Sequence, residues 1–141
     1  MKLDDLLEEF NGLDPEERLE LLIDFAESLP ALSSEHEALR QHGDCRVQEC
    51  QTPVFLWVDV IDGQVRLAAH VPEKSPTVRG LMAMLVEGLS GETPESIESV
   101  PDDIVTRLGL QDALGMTRQR GFKGIVSRIK HQVALAAARS A

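Results

Sequence analysis

Val54-Phe55-Leu56-Trp57-Val58-Asp59-Val60-Ile61 runs into Asp62-Gly63, and Gln64-Val65-Arg66-Leu67-Ala68-Ala69-His70-Val71 follows. The first eight residues are β-branched, aromatic or aliphatic except for Asp59, the composition of a strand. Asp-Gly is a two-residue hairpin turn, because both residues tolerate positive φ. On the return segment Val65, Leu67, Ala69 and Val71 alternate with other residues and so share one face. These features predict an antiparallel hairpin of strands 54–61 and 64–71. Arg46–Gln48 is expected to add a short strand before it.

Outward from the hairpin the pattern turns helical. Leu3, Leu6, Leu7 and Phe10 have helical spacing. Asp14-Pro15-Glu16-Glu17 reads as a helix start: Asp14 caps, Pro15 fits the first turn and Glu17 reaches back. Leu19, Leu22, Ile23 and Ala26 form its expected buried stripe, and Leu29-Pro30 ends it. Ser34–His42 reads as a third helix stopped by Gly43. After the hairpin, Ser75-Pro76 starts a helix running to about Leu89. Thr93-Pro94 starts a short one, and Pro101 another that stops near Gly109. Thr117 is the expected cap of the last helix, with Phe122, Ile125, Val126, Ile129, Val133 and Ala136 inward. Helices, a small antiparallel sheet and then more helices make an α+β fold, with helices on one face of the sheet. No repeat or linker divides the chain, so one domain over 1–141 is expected.

The composition narrows the function. The net charge is −10, from 24 acidic and 14 basic residues. Such a body repels phosphate backbones, and nucleic-acid binding is not expected. Aromatics make up only 4%, too few for a platform that stacks single-stranded bases. Acids gather early, from Asp4 to Glu27, and bases late, from Arg118 to Arg139. Solvated helix faces account for this, and so does a surface that orients a protein partner. No apolar run approaches the ~20 residues needed to cross a bilayer. Met1-Lys2-Leu3-Asp4-Asp5 does not read as a signal peptide. A cytoplasmic protein with reduced thiols and no membrane association is expected.

The chemistry lies in Asp44-Cys45-Arg46-Val47-Gln48-Glu49-Cys50-Gln51-Thr52-Pro53. It falls between a helix stop and the long strand, where a loop is expected. A cysteine attacks as its thiolate. With a reference pKa of ~8.5, only a few per cent is ionised at neutral pH. Arg46 would lower that value and Glu49 would raise it. Spacing alone leaves several readings open. Both cysteines can be small buried hydrophobes. They can close a disulfide across four intervening residues. With His42 and Asp44 they can contribute to a metal site, although two cysteines without a Cys-x-x-Cys are few for zinc. His36, His42, His70 and His131 are read as surface or helix-end residues. There is no nucleophile elbow and no Gly-rich phosphate loop.

Arg46-Val47-Gln48-Glu49-Cys50-Gln51-Thr52-Pro53-Val54 resembles the active-cysteine segment of the SufE/CsdE proteins, the sulfur acceptors of cysteine desulfurases. The likeness continues in order through Val78-Arg79-Gly80-Leu81, Leu89-Ser90-Gly91, Leu108-Gly109-Leu110, Thr117-Arg118 with Gly121, and Ile129-Lys130. The resemblance implies that Cys50 accepts persulfide sulfur from a desulfurase that uses pyridoxal phosphate. The sulfur would then pass to an iron–sulfur scaffold complex. It implies an accessory protein rather than an enzyme, with neither a cofactor nor a metal of its own. Glu49 and Gln51 flank the acceptor, and Arg118 and Arg79 match arginines of the family pattern. Gly80 is expected to let its helix approach the sheet. Glu49 stands where many members carry Gly, so it would disfavour the thiolate until a partner docks. Two other functions use the same residues: a metal-binding scaffold for cluster assembly, and an interaction module without thiol chemistry.

Overall fold

The computed structural model describes residues 1–43, 46–47 and 52–140. The hairpin forms as β1 (Phe55–Ile61) and β2 (Gln64–His70), paired from Ile61↔Gln64 to Phe55↔His70. Asp62 has φ 53° and Gly63 φ 75°. Both turn residues are therefore left-handed, as the type I′ turn requires. Leu56, Val58 and Val60 of β1 face Ala69, Leu67 and Val65 of β2 across the ladder. This face joins the hydrophobic core. The outer edge of β2 is closed at Val65, which donates to Glu92 O and accepts from Gly91 N, both at 2.8 Å. Before β1, Arg46 bridges Phe55, and Val47 N donates to Val54 O at 2.8 Å. The short strand expected at Arg46–Gln48 is thus a bridge at Arg46, and Gln48 lies outside the described residues.

Seven helices surround the hairpin among the described residues: α1 (Lys2–Glu8), α2 (Pro15–Phe25), α3 (Ser34–Gln41), α4 (Pro76–Leu89), α5 (Pro94–Glu98), α6 (Ile104–Leu108) and α7 (Met116–Ser140). A 3-10 turn, Ala26–Ser28, extends α2. The structure is α+β, as the alternation of patterns predicted. Helix α4 is central and packs against α1, α2 and β2, while α7 covers β1. All six inward residues expected on α7 are buried. Helix α3 approaches from the other side of β1, where the rings of His36 and Trp57 stack at 4.9 Å. The helices therefore do not all lie on one face. No described helix is long and apolar enough to cross a membrane.

The caps explain where helices begin. Asp14 accepts from Glu17 N at 2.8 Å, and Glu17 accepts from Asp14 N at 3.1 Å, a complete capping box. Asp14→Ala is expected to cost about 1 kcal/mol, read as a lower urea midpoint with an unchanged slope. Helix α6 starts at Ile104, later than Pro101, because the Asp103 carboxylate accepts from both Thr106 N and Thr106 Oγ1. It ends at left-handed Gly109 (φ 73°). Helix α7 starts at Met116, so Thr117 sits inside the first turn rather than capping it.

Two arginines bind distant elements through backbone carbonyls. Arg18 donates from Nε to Leu13 O and from Nη1 to Leu108 O, both at 2.8 Å, joining α2 to the end of α6. Arg79 donates from Nε to Ala26 O (3.0 Å) and from Nη1 to Val71 O (2.7 Å), joining α4 to the ends of α2 and β2. Gly80, one residue on, allows a close helix contact. A Cβ there would lie 2.8 Å from the Leu22 carbonyl carbon and closer still to its oxygen. The close approach expected at Gly80 is therefore to α2, not to the sheet.

Candidate functional site

Cys50, its neighbours Glu49 and Gln51, and Cys45 lie outside the described residues. Their flanks are described. On one side Val47 is buried and held to Val54. On the other, Thr52 and Pro53 lead into β1, and Thr52 borders a cavity of about 300 Å3. The opposite walls come from α4, through Val78, and from the start of α7, through Thr117, Arg118 and Phe122. Val78 and Phe122 are core residues and give the cavity an apolar floor. Arg118 is the only charged side chain among its described lining residues. An exposed guanidinium beside an apolar pocket favours a negative group there, whether a thiolate, a persulfide or a carboxylate. Met116, 66% exposed, stands two residues before Arg118 and offers an apolar surface beside the cavity.

The residues expected at the site are not all gathered in one place. Thr52, two residues after Cys50 in sequence, and Arg118 share the cavity. Arg79 does not line it, and its guanidinium is engaged with Ala26 O and Val71 O. Its neighbour Val78 points into the cavity while Arg79 points toward α2, the expected divergence of consecutive helical residues. Sequence reasoning did not single out Thr52, although it lies in the family-like segment. No group of three or more His, Cys, Asp or Glu able to hold a metal occurs among the described residues.

Two of the four histidines make ring contacts with β1: His36 with Trp57, and His70 with Phe55, at 6.2 Å between centroids. The imidazole of His70 is held below its ordinary pKa, chiefly by burial. Arg40 and Arg79 add to the effect and Glu37 opposes it. Arg40 in turn grips Glu37 through Nε and Nη2. As pH falls through about 6.5 the unfolded chain protonates His70 before the folded chain does. The unfolded state then binds more protons, so stability is lost on acidification. The melting temperature should fall as pH drops from 7 into the lowered range of folded His70, and His70→Gln should flatten that slope. An equal slope in the variant would refute this role.

The chain belongs to the SufE family, described as the Fe-S metabolism associated domain, whose pattern matches residues 4–133. It is 36% identical over 132 residues to an uncharacterized SufE-like protein of Mycobacterium tuberculosis, covering 93% of this chain and 90% of that protein. It is 31% identical over 83 residues to the cysteine desulfuration protein SufE of Plasmodium vivax, covering 57% of this chain and 34% of that protein. The solution structure of a hypothetical protein from Thermus thermophilus superposes with a TM-score of 0.79 at 36% identity. That match covers 97% of this chain and 96% of the other.

Proposed function

We propose that this protein accepts sulfur from a cysteine desulfurase onto Cys50 and delivers it to iron–sulfur cluster assembly. The observation that carries the reading is the SufE match over residues 4–133, with the Cys50 segment inside it and an arginine-bearing cavity where that segment rejoins the described chain.

The chemistry is thiol–disulfide exchange carried out on a persulfide. The Cys50 thiolate attacks the outer sulfur of the desulfurase persulfide. A new S–S bond forms on Cys50, the S–S bond in the desulfurase breaks, and its cysteine leaves as a thiolate. The electrons balance without an oxidant or reductant. Pyridoxal phosphate belongs to the desulfurase, where it takes part in releasing sulfur from free cysteine. In this reading the protein has no resident cofactor or metal and acts as an accessory carrier rather than a stand-alone enzyme. In this reading the apolar floor beside Thr52 is available to exclude water, and Arg118 is available as a counter-charge for the sulfur. Exposed Met116 and Arg118 provide a surface for the desulfurase, and a scaffold complex is the recipient.

The test combines this protein, a matched desulfurase and free cysteine. Turnover should rise above that of desulfurase alone, and intact-mass and peptide analysis should find one added sulfur atom on Cys50. Stoichiometric sulfur on Cys45 with none on Cys50 would reject the assignment.

A further inference from the structure

Between Leu29 and Val47, both buried, none of the described residues is buried. Helix α3 lies in this stretch. Every other α-helix among the described residues buries at least one side chain, and α3 buries none. Its hydrogen bonds are internal: Ser33 Oγ accepts from His36 N, Ser33 O accepts from Glu37 N, and Arg40 grips Glu37. No hydrogen bond or ion pair among the described residues joins 30–43 to another element. What holds α3 down is the His36 ring on Trp57, 4.9 Å between centroids and 19° between planes. Leu39, its one large apolar residue, is half-buried and borders a cavity rather than joining the core. The helix is also undercut on both sides. A cavity of about 380 Å3 runs beneath Glu35 and Leu39 toward Val58 and Gln132. Another, of about 360 Å3, runs beneath Glu37 toward Leu32, Ala69 and His70. At about 100° per residue, Glu35 and Leu39 fall to one side of His36 and Glu37 falls to the other.

We propose that α3 is a flap, which opens from the hairpin as one unit while the rest of the domain stays folded. Opening breaks the ring stack and the loose contacts of Leu39 and Glu37, and it costs no hydrogen bond to another described element. Segments with few buried apolar contacts lie at the low end of local stability. The helix has eight residues, and isolated helices shorter than ~12–15 residues are marginal in water, so α3 melts as it lifts. Leu29 and Val47 stay in the core and keep the opening local. The open state joins the two cavities over the rings of Trp57, Phe55 and His70, which share one face of the hairpin. The flap is thus a gate over that face. It is independent of the thiol chemistry, and its test needs no desulfurase.

The full chain is followed by amide hydrogen exchange in rising, sub-denaturing urea. The amides of Leu39, Arg40 and Gln41 should exchange roughly 100-fold faster or more than those of Met84 and Leu85 in α4, and with a weaker dependence on urea. Trp57 is the single tryptophan and the chain has no tyrosine, so fluorescence reports this face alone. Its emission should shift to the red before the far-UV circular dichroism is lost. His36→Gln removes the ring and keeps a good helix former. It should speed exchange in α3 about threefold or more and leave α4 unchanged, which also shows that the variant is folded. The proposal is overturned if α3 and Trp57 respond only in the global transition, with the urea dependence of α4. It is overturned if His36→Gln leaves exchange in α3 unchanged, or speeds α4 equally. It is equally overturned if the α3 amides are unprotected from the start, because no closed state would then be populated.

Discussion

Gly80→Ala is expected to destabilise the protein by roughly 3 kcal/mol or more, although the same change in most helices is stabilising. Alanine normally gains about 1 kcal/mol over glycine in a helix interior. Here the added methyl would lie 2.8 Å from the Leu22 carbonyl carbon, with the carbonyl oxygen nearer still. Backbone cannot rotate away as a side-chain tip can. To admit the methyl, α4 and α2 must move apart, and Leu22, Leu81 and Met84, all fully buried, lose contact. Arg79 adds to the cost, because its bonds to Ala26 O and Val71 O span the same junction. Typical domains have only ~5–15 kcal/mol of stability, so the loss should be plain in urea unfolding. Gly88→Ala is the internal comparison. Its Cβ would lie 2.9 Å from Leu3 Cα and Cβ, but α1 is a helix of only seven residues and can yield. Its cost should be smaller. A neutral Gly80→Ala would show that the α2–α4 contact is not close-packed.

Gly80 also shows where sequence reading stops. Local signals were legible: Asp62-Gly63 fixed the turn, Asp14 and Glu17 the capping box, and the α7 periodicity its buried face. Each depends on neighbours within a few residues. The partners of Gly80 and Arg79 are backbone carbonyls in distant elements, and a carbonyl carries no side-chain identity to read. The starts of α6 and α7 were misread because several residues nearby can cap, and packing selects among them. Site chemistry was legible to a different degree. Spacing left Cys50 open between an inert thiol, a disulfide, a metal ligand and a nucleophile. Only the ordered likeness to a family selected the sulfur acceptor. The meeting of Thr52 with Arg118 depends on α7 folding back beside β1, which no local pattern encodes.

The largest functional effect is expected from Cys50→Ser, which should reduce stimulation of the desulfurase to the level of desulfurase alone. A serine hydroxyl is scarcely ionised at neutral pH and cannot take the place of sulfur in an S–S bond, so the exchange has no acceptor. The substitution changes little in volume, so circular dichroism and the urea midpoint should match the wild type. Cys45→Ser should keep full stimulation, because the proposed relay uses one thiol. Arg118→Ala should fall between, roughly tenfold lower in persulfide formation if one charge-assisted contact to the sulfur is lost. Arg118→Lys should recover part of that loss, since it restores charge without the planar fork. A pH series separates the roles. Persulfide formation should rise with pH as the Cys50 thiol ionises, and Arg118→Ala should move that rise to higher pH if the guanidinium stabilises the thiolate. If Arg118 only docks the partner, the curve should keep its midpoint and lose amplitude. Undiminished stimulation by Cys50→Ser would mean that the protein activates its partner by binding alone, and the relay would be wrong.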